Sequence, residues 1–261
     1  MSELLEQQMR QLKLGGMAKE WRSIEFHDIE QYVGELLKLE LHEREVNRIN
    51  RMVKSAGFHV LKTLDDFVWN NCIELPVGLT QEYMTELSFL NAKENLIFMG
   101  TVGTGKTHLA TAIALKACQE GRRVRFFTAA SLANMLLEKN NKGTLNSYLA
   151  SMKKTELIVI DEVGFVPLHK ESAELLFQVI SDCYERRSLI ITSNLEFSQW
   201  NTVFGDNRLT AALIDRLIHH LADYVRAVLS DEAICVIGNE ERIREEENLF
   251  MNVLPLTNAQ A

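Results

Sequence analysis

The chain has 261 residues, of which 46% are hydrophobic and 25% charged, with a net charge of −8. Such a composition predicts a globular chain with a real core and excludes low-complexity, collagen-like and disulfide-framework proteins. A bulk basic footprint for nucleic acid is also excluded, so any nucleic-acid surface must be local.

Residues 1–10 carry Glu3 and Glu6 and lack the apolar stretch of a signal peptide. No apolar run approaches the roughly 20 residues needed to cross a bilayer, so a cytoplasmic protein with no membrane partner is expected. Cys72, Cys118, Cys183 and Cys235 are scattered, with no CxxC pair, and read as reduced thiols rather than zinc ligands.

Residues 1 to about 70 read as helical. From Tyr32 to Ser55 the apolar residues Val33, Leu36, Leu37, Leu39, Leu41, Val46, Ile49 and Val53 keep close to a helical period, and Gly57 is a plausible stop. Arg44, Arg48 and Arg51 share one narrow sector of that helix, with Lys54 on its flank. The pattern breaks around Pro76 and Gly78. That break predicts a helical domain over residues 1–75 and a second domain over 76–261.

From residue 95 short apolar strands alternate with amphipathic helices. Strands are expected at Leu96–Met99, Val124–Phe127, Leu157–Ile160 and Leu189–Thr192, with short ones near Val225–Leu229 and Ile234–Ile237. Helices are expected at Lys106–Gln119, Ser131–Lys139, Leu145–Lys153, Glu171–Arg186 and Leu209–Leu221. Alternation of this kind gives an α/β fold, a parallel sheet with helices on both faces.

Gly100, Thr101, Val102, Gly103, Thr104, Gly105, Lys106 and Thr107 fit GxxxxGK[ST], after a strand and opening a helix. In such a P-loop the glycines turn backbone N–H groups toward a phosphate, and the helix N-terminus adds positive potential. Lys106 would reach the β- and γ-phosphates of ATP, and the Thr107 hydroxyl would ligate Mg²⁺. His108, next along, joins the expected nucleotide contacts. The strand Leu157–Ile160 runs into Asp161 and Glu162. Asp161 is the second expected Mg²⁺ ligand and Glu162 the group that orients or deprotonates an attacking water. A carboxylate there favours transfer to water over transfer to a small-molecule hydroxyl. Asn194, at the tip of the strand Leu189–Thr192, could hydrogen-bond the γ-phosphate and the water; it could equally be a turn former.

GTVGTGKTHL (Gly100–Leu109), Leu157–Glu162, Ile191–Asn194 and LTAALIDRLIHH (Leu209–His220), with the early LKLGGMA segment Leu12–Ala18, resemble IstB, the ATP-dependent helper of insertion-sequence transposases. The helicase loaders related to DnaC are similar. The resemblance covers most of residues 1–230. It implies an AAA+ core in a bacterial protein that assembles on duplex DNA with ATP, as a homo-oligomer, and works through a transposase. It also implies that Arg216 reaches the γ-phosphate of a neighbouring subunit, with Arg208 a second candidate. Two departures stand out. Thr101-Val102 replaces a loop that carries proline in many relatives, and Ser230–Ile237 lacks the Tyr-Arg-containing strand of the family; about 24 residues follow Ile237, too few for a full AAA+ lid. The C-terminal lid is therefore expected to be reduced or absent. His219 and His220 point about 100° apart on a helix and lack a third ligand, so they read as structural.

The expected DNA surface is Arg44, Arg48, Arg51 and Lys54, with Lys139, Lys142, Lys153 and Lys154 as a second candidate. Contacts of this type are sequence-indifferent and salt-sensitive. Glu40 and Arg44 also stand four apart, so the arginine face could be only an ion-paired surface. Two further functions stay open: a helicase loader, whose N-terminal helices would grip a helicase, and a small-molecule P-loop kinase.

Overall fold

A computed structural model describes residues 2–69, 73–75, 79–218 and 234–237. The chain packs as two compact units, Met1–Lys54 and Ser55–Ala261. Pro76 and Gly78, where the sequence suggests a boundary, lie outside the described residues.

The first unit is helical: α1 (Ser2–Gln11), α2 (Gly15–Glu20) and α3 (Ile29–Ala56). The start of α3 is capped reciprocally. The Asp28 carboxylate accepts the Gln31 N–H at 2.7 Å, and the Gln31 side chain accepts the His27 N–H at 2.9 Å. Its end is Gly57, at φ +87°, as the sequence suggests. Helix α2 lies so close to α3 that a Cβ on Gly16 would come within 2.6 Å of the Leu39 carbonyl oxygen. Glu40, 5% exposed, makes that approach possible. Its carboxylate accepts the Gly16 and Met17 N–H groups at 2.9 and 3.4 Å, orphan donors of a helix start, and the Arg44 guanidinium at 2.7 Å. Burial alone would raise the Glu40 carboxyl, but these hydrogen bonds and the Arg44 charge hold it below the usual range.

The second unit contains β1 (Ile73–Glu74), α4 (Gln81–Thr85), α5 (Ser88–Ala92), β2 (Leu96–Met99), α6 (Lys106–Gln119), β3 (Val124–Thr128), α7 (Ala129–Asn141) and α8 (Leu145–Met152). Then come β4 (Leu157–Val163), α9 (Lys170–Cys183), β5 (Ser188–Ser193), α10 (Asn201–Phe204), α11 (Asn207–Ile218) and β6 (Ile234–Ile237). The sheet order is β1-β6-β2-β5-β4-β3. Strands β2, β5, β4 and β3 are mutually parallel, while β6 runs antiparallel to β2 and parallel to β1. This is the P-loop NTPase arrangement of the AAA+ type. The chain leaves β2, crosses to the far edge β3 and returns inward, so the ends of β2, β5 and β4 open onto one crevice.

Both faces of the sheet are covered, which is why its strands read as continuous apolar runs. Ile97, Met99, Ile158, Ile160, Leu189 and Ile191 share a core with α7, α9, α10 and α11. The alternate strand residues face the other way, where α6 touches β2, β3, β4 and β5. Helix α11 is tied to the sheet by Asn95, whose amide donates to the Leu217 carbonyl at 3.0 Å and accepts the Leu189 N–H at 2.9 Å. The expected strand Val225–Leu229, the histidines 219–220 and the lid all lie outside the described residues. No helix among the described residues is long and apolar enough to cross a membrane.

Candidate nucleotide site

The loop between β2 and α6 turns on glycines. Gly100, Gly103 and Gly105 sit at φ +147°, +90° and +94°, and Gly105 directly precedes the first turn of α6. Lys106 is buried at that turn. Its ammonium donates to the carbonyls of Gly100 and Thr101 at 2.7 and 2.6 Å and to the Thr104 hydroxyl at 3.3 Å. Burial lowers the Lys106 pKa from the usual lysine value, and the nearby Asp161 charge partly opposes the shift. A half-desolvated ammonium beside a helix N-terminus is a site for a multiply charged anion.

Strand β4 reaches this loop through a bulge. Ile160 pairs with Ile191 and Val163 with Ser193, so the two acids Asp161 and Glu162 stand opposite the single residue Thr192. Glu162 takes up the extra length at φ +60°. In a regular strand the two carboxylates would point to opposite faces. Here Asp161 is buried and Glu162 is exposed, and the bulge turns Glu162 into the crevice. Asp161 Oδ1 accepts the Thr107 hydroxyl at 2.9 Å and the Thr192 hydroxyl. The Thr192 oxygen in turn accepts the Glu162 N–H at 2.9 Å.

Asn194 follows at the end of β5. Gly164 makes room for it: at φ +106°, a Cβ there would lie 2.8 Å from the Leu195 side chain and 3.2 Å from Asn194 Oδ1. The hydroxyl of Ser193 fastens the same corner. It donates to the Val163 carbonyl at 2.7 Å and accepts the Leu195 N–H at 3.1 Å and the indole N–H of Trp200 at 3.2 Å.

The result is a cavity of about 320 Å³ lined by Gly103, Gly105, Lys106, Thr107, Glu162, Thr192 and Asn194, with the exposed Val102 and Phe165 at its walls. The donor set fits a magnesium nucleotide. Mg²⁺ keeps few protein ligands, taking one or two hydroxyl or carboxylate oxygens and filling the rest with phosphate and water. Thr107 and Asp161 offer that pair.

The family described as IstB-like ATP binding protein matches residues 7–228. The chain belongs to that family. An insertion sequence IS5376 protein of Geobacillus stearothermophilus, named for ATP binding, is 34% identical over 84% of this chain and 90% of its own length. A similarly named insertion sequence IS232 protein of Bacillus thuringiensis is 34% identical over 82% of each chain. Among solved structures, AMPPCP-bound DnaA from Aquifex aeolicus is similar at 25% identity over 59% of this chain and 47% of its own, with TM-score 0.48. The DnaC helicase loader is similar at 22% identity over 64% of this chain and 95% of its own, also with TM-score 0.48.

Of the residues singled out from the sequence, the structure of this IstB-like chain gathers Lys106, Thr107, Asp161, Glu162 and Asn194 around one crevice. It does not bring His108 there. One helical residue past Thr107, His108 turns about 100° away. Its Nε2 lies 3.1 Å from the Thr63 carbonyl oxygen, and its ring packs edge-on to Phe67. Arg216 is half-buried on α11, with its guanidinium 4.5 Å from the Phe177 ring centre and donating to the Ser181 hydroxyl at 2.8 Å, both on α9. Among the described residues it forms no ion pair with Asp215; Asp223, the other acid that could pair with it, lies outside them. Arg208 is exposed.

The basic residues divide. Arg44 is ion-paired with Glu40, as the spacing allows, and Arg48 with Glu45 in a two-pronged contact, while Arg51 donates to the Asn47 carbonyl at 3.1 Å. Lys142 pairs with Glu138, and Lys139 lies 6.0 Å from the Tyr148 ring centre. Lys54, Lys153 and Lys154 are exposed. Thr192, Gly164 and Gly16 matter to the geometry, and the sequence assigns none of them a role. The one sequence signal for Thr192 is a hydroxyl closing an otherwise apolar buried strand.

Proposed function

We propose that this chain is an ATPase that binds duplex DNA without marked sequence preference, assembles on it with ATP, and assists a transposase. The observation that carries the enzymatic part is the convergence of Lys106, Thr107, Glu162 and Asn194 on one cavity, with Asp161 hydrogen-bonded to Thr107 behind it. The membership in an insertion-sequence family of ATP-binding proteins supports the rest.

In this reading Lys106 exchanges its loop carbonyls for phosphate oxygens, and the backbone N–H groups after Gly103 receive the remaining charge. Thr107 and Asp161 would hold Mg²⁺, which when bound neutralises charge on the phosphate oxygens. Glu162 takes the proton of a water whose oxygen attacks the terminal phosphorus, and the bond to the ADP oxygen breaks. Asn194 orients that water. Arg216 supplies positive charge to a neighbouring subunit's site, so that nucleotide and subunit contact report on one another.

Hydrolysis would end each DNA-bound state. The test is the lifetime of complexes between a labelled random duplex and the Glu162→Gln protein. With ATP and Mg²⁺ the variant should bind nucleotide as well as the parent, lose hydrolysis by about 100-fold or more, and hold the duplex longer. Equal lifetimes for parent and variant would contradict this cycle.

A further inference from the structure

We infer that the hydroxyl of Thr192 is the positioning group for both acids of the site, setting the Asp161 carboxylate and the Glu162 backbone through one oxygen. The inference rests on the ATPase reading above and deepens it.

The bulge creates the need. Two residues of β4 face one of β5, so the ladder cannot serve both of them. The Glu162 N–H is left without a strand partner at a part-buried position, where an unpaired donor is costly. Thr192, 1% exposed and directly opposite, supplies the missing acceptor from its side chain. The same hydroxyl has one proton to give and gives it to Asp161 Oδ1. Its oxygen therefore has a defined polarity, accepting from the backbone on one side and donating to the carboxylate on the other. No residue without a hydroxyl on Cβ can do both from this place.

Two consequences follow for the chemistry. Asp161 Oδ1 is engaged by hydroxyls from both walls of the crevice, Thr107 of α6 and Thr192 of β5, which fixes the rotation of the carboxylate. Glu162 is held at φ +60°, a left-handed conformation that is strained for a non-glycine residue and persists only where neighbours impose it. The Thr192 hydrogen bond to its N–H is one such restraint, and it aims the side chain into the cavity. Thr192 lines that cavity, yet both polar contacts of its hydroxyl go to the acids, so it acts through them.

The discriminating experiment compares Thr192→Val, which keeps the shape, Thr192→Ala, and Thr192→Ser, which restores the hydroxyl. Two readouts are taken on the full-length protein: steady-state ATP hydrolysis, and the affinity of a fluorescent ATP analogue with and without Mg²⁺. Loss of a group that orients a metal ligand typically costs 10–100-fold. The Val and Ala variants should lose kcat by at least about tenfold and most of the affinity that Mg²⁺ adds, while their affinity for the analogue without Mg²⁺ stays within about threefold of the parent. The Ser variant should recover both to within about threefold. Val and Ala proteins that hydrolyse within twofold of the parent and keep the Mg²⁺ gain would overturn the inference. So would a loss that serine fails to restore, since that would mark a packing role. If the parent itself does not hydrolyse ATP, the ATPase reading fails separately and the Mg²⁺ dependence of binding decides the role of Thr192. A parent whose nucleotide affinity ignores Mg²⁺ would overturn it as well.

Discussion

At the end of a buried parallel strand, two adjacent carboxylates cannot both face one ligand, because successive side chains point to opposite faces. The chain resolves that conflict with a bulge, a left-handed glutamate and a glycine, at Asp161, Glu162 and Gly164. Gly164 carries a specific expectation. At φ +106° and with the Leu195 side chain 2.8 Å from where a Cβ would stand, Gly164→Ala combines backbone strain with a clash. The variant should lose about 1–3 kcal/mol of stability in chemical denaturation. Hydrolysis should fall further than nucleotide affinity, because the clash displaces Asn194 and not Lys106. Equal losses in both would show that the glycine serves the fold alone. The P-loop and Asp161–Glu162 were legible in the sequence because each follows from residue type at fixed spacing next to an apolar strand. The bulge was not, since it depends on how β4 registers against β5, and no local pattern states that. Nor could the direction of His108 be read from its neighbour Thr107, because adjacent helical residues diverge by about 100°.

Among the elements, α6, β4 and β5 were legible to within a few residues from apolar runs and glycine breaks. What the runs did not show was how one element meets another. Gly16 and Glu40 join α2 to α3 by close approach, and the LGGMA segment could be recognised from the sequence without its reason being evident. Glu40 gives that junction a pH dependence of known sign. Its carboxyl is depressed in the folded protein, so its contribution is full above the usual glutamate range and is lost as pH falls through the lower folded value. Amide exchange at residues 15–18, corrected for intrinsic rate, should therefore accelerate on acidification in the parent. Glu40→Gln should exchange faster at neutral pH and show little further acid dependence over the same range. An unchanged profile in that variant would contradict the role. Helix α11 offers a parallel case: Asn95 fixes it to β5, and Phe177 and Ser181 on α9 hold Arg216 in place. That is how a fixed donor to a second subunit would be built.

For the molecule as a whole, net charge says little about where DNA would bind on the proposed reading. The arginine face of α3, the most visible basic feature of the sequence, is largely spent on Glu40 and Glu45. The Arg48–Glu45 pair is exposed and contributes little to stability, and both pairs would have to open for phosphate to enter. The exposed Lys54, Lys153 and Lys154 need no such exchange. Charge-reversing Lys153 and Lys154 to glutamate together should weaken duplex binding and flatten its dependence on salt, by roughly one unit of log–log slope for each phosphate no longer neutralised. The same change on Arg48 should do less, and the opposite ranking would place the DNA on α3.

On the proposed reading, ATP and duplex DNA together assemble this chain through the crevice that holds Lys106 and Glu162. The decisive experiment is to size the purified protein with a random duplex of about 50 base pairs, in ATP, in ADP and without nucleotide. At physiological salt such a duplex offers only non-specific phosphate contacts. A large complex that requires both duplex and ATP, and that Arg216→Ala prevents without loss of nucleotide binding, is the expected result. A chain of the same size in every nucleotide state, with no affinity for duplex, would contradict it.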